Sequence, residues 1–378
     1  MKVKDIESSS TSSSNLHKKE QIQNISKFVS TMSTNTASVF ANSFESDSPV
    51  LLSVNDREHI LSTDAFSWEF DCLKCDVPLL VDVIWGYFDK ILMNTNKSIS
   101  VDKKRLRNFF EILPSYYNDV PYHNIYHATS VVHFTYMLLQ DVGFIGFKPI
   151  EVFATLLAAV VHDLDHRGYN NAYEKNTNSS LAEKYKDHLP ESPLENHHFH
   201  YSWEIIDSKS DYFFLADETQ KAEVVEFMKA CILGTDMANH NTLVDQLKEA
   251  KTRSDLSNLQ WAVMIVHVAD LNNSVRPFDP SAEWSIRIAT EWHQQFLIER
   301  EKNLPQLPFM EVTTAEKFCK NELSFINFLT KPLWLELASE KFGLSVRHLV
   351  EEINQNLKFW AELKESFEEG IKKQEVKA

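Results

Sequence analysis

Residues 158–173 combine a run of apolar residues with a tight group of side chains that commonly bind metals. The stretch AAVVHDLDHRGYNNAY places His162, Asp163, Asp165 and His166 directly after Ala, Ala, Val and Val. Imidazole and carboxylate groups are costly to bury unless a partner compensates them. Adjacent imidazole and carboxylate groups suit a divalent cation. The spacing therefore predicts a metal site at the end of an apolar helix.

Three further pieces of the sequence carry the same residue types near predicted helices. YHNIYHATSVVH places His123 and His127 four residues apart, which puts them on one face if the segment is helical. HVADLNN places Asp270 after an apolar segment, and LENHHFH offers Glu195 beside three histidines. Each piece alone is a weak signal, because a single histidine on an apolar helix is more often a core residue than a ligand. Together they favour a metal centre with room for water, which a hydrolase needs.

The composition indicates that these pieces are held by helices. The chain has 378 residues, of which 43% are hydrophobic and only seven are glycine, so long runs are free of helix-breaking residues and no glycine-rich phosphate loop can be assembled. Apolar residues recur at helical spacing in 77–93, 149–163, 222–237, 259–273, 282–301 and 344–367. We predict a compact, multi-helix, all-α single domain over 65–370. A disordered Ser/Thr-rich tail over 1–64 precedes it, and a short tail over 371–378 follows.

Charge and hydropathy restrict the partners of this domain. The net charge of −16 disfavours nucleic acid and anionic membrane surfaces, although an anionic substrate is compatible with it if a metal supplies local positive charge. The longest apolar run is too short to span a membrane, and no signal-peptide pattern is present. Four cysteines are too few for a disulfide scaffold in a chain of this length. These features predict no transmembrane segment and a cytoplasmic location.

Five sequence motifs, in order, resemble those of the class I cyclic nucleotide phosphodiesterases. The motifs are YHNxxHAxxV, HDLDHRGYNNAY, LENHH, TDM and ADLNN, and the resemblance runs from the helices near residue 77 to TKPLW and beyond. It implies an all-α catalytic domain of the HD type. Its activity would be metal-dependent hydrolysis of the cyclic purine nucleotides cAMP or cGMP to 5′-monophosphates, which terminates cyclic-nucleotide signalling. It also implies two divalent metal ions, Zn²⁺ and Mg²⁺ (or Mn²⁺).

The resemblance assigns roles to the residues that match the motifs. The metal ligands would be His127, His162, Asp163 and Asp270. Asp163 would bridge the two ions, and water activated by them would attack phosphorus. His123 would be the general acid that protonates the leaving O3′ oxygen.

A second group of residues would orient the waters around the second ion. These residues are His166, Glu195 and Thr235. His166 has an alternative role as a direct ligand, because the HDxDH pattern contains two candidate pairs. Asp165 is predicted to have a structural role, as a cap or an ion-pair partner.

The resemblance also implies a pocket for the purine base. Its residues would be Tyr122, Met237, Asn273, Ile288, Glu322 and Phe325. Phe325 and Ile288 would form opposite walls. The chain departs from the family at Glu322, where the family has a glutamine that can both donate and accept hydrogen bonds. An ionised carboxylate only accepts them.

This departure leaves the preferred nucleotide open. An ionised Glu322 would weaken purine binding in general or favour guanine, which presents two neighbouring donors. A protonated Glu322 would mimic glutamine and permit cAMP binding, and Asn273 also argues for cAMP, since many cAMP-hydrolysing relatives carry asparagine there. Two alternative functions are a non-catalytic cyclic nucleotide sensor and another HD-type nucleotide phosphohydrolase. Regulation would come from partners, the tail or a homodimer.

Overall fold

The computed structural model describes residues 4–34, 52–95, 98–141, 146–187, 191–208, 214–215 and 217–375, and their regular structure is helical. Within these ranges the β-structure is one isolated bridge between Val101 and Leu215, so the all-α prediction is confirmed. The helices are α1 Lys4–Thr34, α2 Val54–Ser62, α3 Val77–Asn94, α4 Lys103–Ile112, α5 Ile125–Asp141, α6 Pro149–Val161, α7 Asn171–Asn176, α8 Ser180–Tyr185, α9 Pro193–Ser208, α10 Glu218–Gly234, α11 His240–Glu249, α12 Asn258–Asp270, α13 Phe278–Glu301, α14 Ala315–Phe325, α15 Lys331–Leu337 and α16 Arg347–Glu375.

Helix α6 lies at the centre of the core, and its local sequence explains both of its ends. Pro149 occupies the first helical position, where its missing N–H group costs nothing. The Glu151 carboxylate accepts a hydrogen bond from the Lys148 backbone N–H, at 2.7 Å. Every residue from Ile150 to Val161 is buried, because α6 is packed by α3, α5, α10 and α12. The helix ends immediately before the polar His162–Asp163 pair.

The neighbouring helices bring the other motif residues to that end of α6. Helix α12 begins with a capping box in which Ser257 and Gln260 exchange hydrogen bonds with the backbone, and Asp270 is its last residue. Helix α5 packs against both α6 and α12, and His127 lies in its first turn. The N-terminus of α5 therefore meets the C-termini of α6 and α12.

The predicted disordered tail over 1–64 is corrected by two helices in its described parts. Helix α2 is capped by Ser53 and Asp56. In the described part of helix α1, buried residues such as Ile25, Phe28 and Met32 face α13, α14 and α16. Their apolar side chains gain enough buried surface from this packing to order a Ser/Thr-rich segment. Residues 35–51 of the predicted tail lie outside the described residues.

Two further boundaries follow from the helices. Helix α16 continues to Glu375, past the predicted domain end at 370, and residues 376–378 lie outside the described residues. A π-helical turn over Ile326–Thr330 separates α14 from α15. No helix in the described ranges has the length and apolar character that crossing a membrane requires.

Candidate active site and metal centre

Four side chains predicted as metal ligands meet where α5, α6 and α12 converge. His127 Nε2 lies 2.9 Å from Asp270 Oδ1 and 3.4 Å from Asp163 Oδ2. His162 Nε2 lies 2.9 Å from Asp163 Oδ2 and 3.4 Å from Asp270 Oδ1. One donor atom from each residue lies within 4.8 Å of the others. The geometry brings together two nitrogen and two oxygen donors in a largely buried position.

The hydrogen bonds around His162 show that this donor set fits a cation. His162 Nδ1 lies 2.9 Å from the Ala159 carbonyl oxygen, so it carries the proton and donates it. In the neutral ring, Nε2 then presents a lone pair toward two carboxylates. Facing acceptors repel one another unless a proton or a metal ion lies between them. Burial disfavours the charged ring, yet Asp163 and Asp270 raise the pKa of His162 well above its usual range, which shows how strongly the site attracts positive charge.

The helix ends add to this attraction. The C-termini of α6 and α12 both point at the cluster, and a helix C-terminus carries about half a negative charge. Burial raises the pKa of Asp163, but the His162 charge and hydrogen bonds from both histidines hold it well below the usual range. The carboxylates are therefore ionised, as metal ligands must be.

A second cluster beside the first contains His123, His166 and Glu291. His123 lies in the turn before α5, not on the same helix as His127, which corrects the sequence interpretation. Its Nδ1 atom hydrogen-bonds to Glu291 Oε1, while Glu291 Oε2 accepts from the backbone N–H groups of Tyr122 and His123, at 3.0 and 3.2 Å. Burial lowers the pKa of His123, but the Glu291 carboxylate more than offsets this and raises it to about 9. His123 therefore holds a proton beside the cavity.

Glu291 is the site residue that the sequence analysis missed. It lies on α13, three positions after the predicted pocket residue Ile288, so both occupy one face of the helix. The sequence did contain one indication of its role: Glu291 is a carboxylate on the same face of a predicted helix as the pocket residue Ile288. Its partner lies 168 positions earlier in the chain, so local pattern could not pair them.

A glycine allows α13 to approach the metal cluster. Gly168 has a φ of +79°, and a Cβ atom there would lie 3.4 Å from Glu291 Cγ. Its backbone N–H donates to His166 Nδ1 at 3.0 Å. This contact leaves Nε2 of the neutral His166 ring as the protonated nitrogen. Gly168 thus fixes the ring of His166. Its lack of a side chain also leaves space for Glu291, which holds His123.

The structure separates His166 and Asp165 from the ligand cluster. His166 stacks on His123, with ring centroids 3.9 Å apart. Burial and the nearby positive charge of His123 lower the pKa of His166 to about 3, so its ring is neutral. Asp165 accepts hydrogen bonds from Asn118 and His197, at 3.0 and 2.8 Å, and these contacts match the structural role predicted for it.

The remaining polar residues predicted near the metals line the same cavity. Glu195 accepts from Asn171 Nδ2 at 2.9 Å, and burial together with the Asp236 charge raises the Glu195 pKa to about 8. Thr235 directly follows α10 as its C-cap, and its hydroxyl donates to the Ile232 carbonyl at 2.8 Å. Both residues line the cavity beside Asp163.

This cavity has a volume of about 420 Å³ and contains every predicted base-pocket residue. These are Tyr122, Met237, Asn273, Ile288, Glu322 and Phe325. At its α14 side, Ser285 Oγ donates to Glu322 Oε2 at 2.7 Å. Burial raises the Glu322 pKa to about 7, although the Ser285 hydrogen bond opposes the shift. Glu322 therefore changes charge near neutral pH.

Asn273 has one end of its amide hydrogen-bonded and the other end buried without a hydrogen-bond partner among the described residues. Its Nδ2 donates to the Tyr122 hydroxyl at 2.7 Å, whereas its buried Oδ1 has no hydrogen-bond partner among the described residues. Asn273 thus lines the cavity with its amide held by Tyr122, in addition to the titrating carboxyl group of Glu322.

Fold and site together define a helical domain in which a His₂Asp₂ cluster suited to a cation lies beside a cavity, and known proteins share its fold. Residues 122–353 match the family model described as 3′5′-cyclic nucleotide phosphodiesterase. The crystal structure of the phosphodiesterase domain of the RhoPDE fusion protein from the choanoflagellate Salpingoeca rosetta has 34% sequence identity and a TM-score of 0.74. The match covers 83% of this chain and 100% of that one.

Curated relatives point to the same family. A high affinity cGMP-specific 3′,5′-cyclic phosphodiesterase 9A of Drosophila melanogaster is 30% identical, and the match covers 72% of this chain but 17% of the relative. A 3′,5′-cyclic-AMP phosphodiesterase 4C of Mus musculus is 34% identical over 58% of this chain and 33% of the relative. The chain thus spans less than two thirds of the length of the curated relatives it matches. It belongs to the 3′,5′-cyclic nucleotide phosphodiesterase family.

Proposed function

We propose that this chain hydrolyses 3′,5′-cyclic nucleotides to 5′-monophosphates and thereby ends cyclic-nucleotide signalling. The observation that carries the proposal is the pairing of two clusters at one cavity. The first is a largely buried His₂Asp₂ set in which His162 Nε2 has no hydrogen-bond partner within the described part of the chain, and the second is a protonated histidine held by a buried carboxylate. Family membership supports the same activity.

The donor set suits two divalent ions, which we propose are Zn²⁺ and Mg²⁺ or Mn²⁺. Zn²⁺ would be held by the nitrogens of His127 and His162 together with Asp163 and Asp270, a mixed set that zinc accepts. Asp163 would also reach the second ion. Its other partners would be waters oriented by groups such as His166, Glu195 and Thr235, since Mg²⁺ retains several waters. Bound there, the ions supply a nucleophilic water of lowered pKa and neutralise phosphoryl charge.

The chain's own residues would complete the reaction. Hydroxide, whose proton has already passed to solvent, would form the bond to phosphorus as the bond between phosphorus and O3′ breaks, so O3′ leaves as an alkoxide unless it is protonated. His123 would donate its Nε2 proton to O3′, because Glu291 holds Nδ1 and keeps the ring charged. A positioned general acid contributes a factor of about 10²–10⁴.

The purine would be held between Ile288 and Phe325, with Glu322 at its edge. Protonated Glu322 presents a donor and an acceptor, as glutamine does, whereas ionised Glu322 presents acceptors alone. Asn273 lines the same cavity, and its Oδ1, which lacks a partner among the described residues, would accept from the exocyclic amine of adenine. We propose that the chain accepts cAMP when Glu322 is protonated and shifts toward cGMP when it is ionised.

Glu322 also motivates a second candidate, a non-catalytic cyclic nucleotide sensor. A sensor would not need a proton donor placed beside a cation site, and the His123–Glu291 pair favours the enzyme. The third candidate, another HD-type nucleotide phosphohydrolase, differs in its substrate, because it would cleave linear phosphodiesters as well as cyclic ones.

One set of rate measurements separates these candidates. Purified protein, loaded with Mg²⁺ or Mn²⁺, is assayed with cAMP, cGMP and a linear dinucleotide, and its metal content is measured in parallel. Turnover of the cyclic substrates alone supports the proposal. Metal binding and nucleotide binding without turnover would establish the sensor, and comparable cleavage of the linear substrate would establish the broader hydrolase.

A cytoplasmic location and a homodimer remain part of the proposal. The four cysteines are buried and free, which is compatible with a reducing compartment. Gel filtration with light scattering tests the dimer, and localisation of the tagged chain in cells tests the compartment.

A further inference from the structure

Helix α1 has an amphipathic pattern that its Ser/Thr-rich composition conceals. Its buried residues follow helical spacing over about three turns and lie on one stripe; they are Gln21, Ile25, Phe28, Val29 and Met32. The stripe packs against α13, α14 and α16. Two of these helices, α13 and α14, also form the cavity that holds the proposed base pocket.

Polar contacts fix the N-terminal half of α1 to the start of α13. His17 Nε2 and Gln21 Nε2 both hydrogen-bond to Asp279 Oδ1, at 2.6 and 2.8 Å. The His17 ring also lies 5.1 Å from the ring of Phe359 on α16. These contacts fix the position of α1 along the surface formed by α13, α14 and α16.

An aromatic contact joins the middle of α1 to α14. The rings of Phe28 and Phe318 lie 5.2 Å apart in an edge-to-face arrangement, and Phe318 also contacts Trp360 at 5.6 Å. Phe318, Glu322 and Phe325 are spaced i, i+4 and i+7, so they share one face of α14. On this face, Phe318 packs against α1, whereas Glu322 and Phe325 line the cavity.

A second connection joins the end of α1 to the opposite side of the cavity. His293 of α13 hydrogen-bonds to the main chain of Met32 and accepts from the Val312 backbone N–H at 3.1 Å. The segment before Val312 contains Phe309, which lines the cavity and contacts Trp292. Helix α1 therefore contacts Phe318 and His293, which lie on the two helices that also carry the cavity residues Phe325 and Ile288.

We infer that α1 is a positioning element for nucleotide recognition, and that Phe28 is its principal positioning residue. By packing on Phe318, Phe28 fixes the rotation of α14 about its axis and hence the direction in which Glu322 and Phe325 face the cavity. The inference rests on the proposed function for its substrate. Loss of the contact lowers affinity for the purine and alters the cAMP-to-cGMP ratio, while His123 and the metal ligands keep their places on other contacts.

The test compares four full-length proteins: wild type, Phe28→Ala, Phe28→Leu and Lys27→Ala. Lys27 is exposed on the outer face of α1, so its truncation is the matched control. With Phe28→Ala we expect KM for the cyclic nucleotides to rise about fivefold, with a changed cAMP-to-cGMP ratio of kcat/KM. Phe28→Leu restores most of the affinity, and Lys27→Ala behaves as wild type. Hydrogen exchange of the 315–325 amides accelerates in Phe28→Ala.

A purely structural role for α1 gives a different result. Partial unfolding lowers the active fraction equally for both substrates, so Vmax falls while KM and the substrate ratio stay constant. That outcome overturns the inference. If Phe28→Ala does not fold, Phe28→Val removes the ring contact with Phe318 and leaves a smaller cavity, and an unchanged KM and ratio there overturn it equally. If wild type turns over neither nucleotide, the proposed function fails by itself. Equilibrium dialysis of cAMP and cGMP with the same proteins then decides the role of α1.

Discussion

Replacing Glu322 with glutamine should remove the pH dependence of base preference. Glutamine has nearly the same shape as glutamate, so it keeps the hydrogen bond that Ser285 Oγ now donates to Oε2 at 2.7 Å. It also presents a donor and an acceptor at every pH. The variant therefore changes the titration of this one group and leaves the cavity in place.

The magnitude follows from the pKa of Glu322, which burial raises to about 7. If adenine requires the protonated form, the competent fraction is about 0.9 at pH 6 and about 0.1 at pH 8. Apparent KM for cAMP then rises about tenfold over this interval, equivalent to ~1.4 kcal/mol of binding. KM for cAMP should rise with pH, because a higher pH deprotonates Glu322 and removes its hydrogen-bond donor. In Glu322→Gln the same KM should stay flat.

The assay is the ratio of kcat/KM for cAMP to that for cGMP, measured on one preparation at pH 6, 7 and 8. Using the ratio cancels changes in metal loading and in the charge of His123, which affect both substrates. Ser285→Ala is an informative companion variant. In the wild type, the hydrogen bond from Ser285 lowers the pKa of Glu322. Removing this hydrogen bond should raise that pKa, so the change in base preference should occur at a higher pH. A wild-type ratio that does not change with pH, and equals that of Glu322→Gln, would refute the reasoning.

Three further predictions concern the metals and the general acid. His123→Ala should lower kcat by about 10²–10⁴ with unchanged metal content by mass spectrometry; loss of metal would contradict its separation from the ligand set. Asp270→Asn should lose bound metal, and EDTA should inactivate the wild type until Mn²⁺ or Mg²⁺ is restored. Full activity after chelation would refute metal dependence. Gly168→Ala should lower the free energy of unfolding in urea by about 1–3 kcal/mol, because the φ of Gly168 is +79°. It should also lower kcat, because the added Cβ atom displaces Glu291. An unchanged unfolding free energy and kcat would show that Gly168 and Glu291 are not in close contact.

The central helices could be predicted from sequence because their apolar residues recur at helical spacing. Helix α6 is apolar on all sides, which indicated burial, and the polar group after Val161 marked its end. Helix α1 could not be predicted in the same way. Its apolar positions, such as Ile25 and Phe28, are few within a polar segment, and the groove that buries them is made by helices hundreds of residues later.

The candidate site shows the same limit. The proposed ligands stand in motifs of distinctive spacing, so sequence alone could single them out. Glu291 depends on a partner far away in the chain, and only the fold brings it to His123. The character of Glu322 is likewise a property of its surroundings, because burial and Ser285 set its pKa.

Helix α13 carries both a residue of the proposed base pocket and the carboxylate that holds the proposed general acid. Ile288 lines the cavity at the base end, and Glu291, one turn later, holds His123. A tilt of this rigid rod to admit a different purine would also displace the proton donor. Under the proposed function, exchange of a single side chain on the neighbouring α14, such as Glu322, would change the preference without moving α13. A lineage can alter its nucleotide in small steps this way without an inactive ancestor.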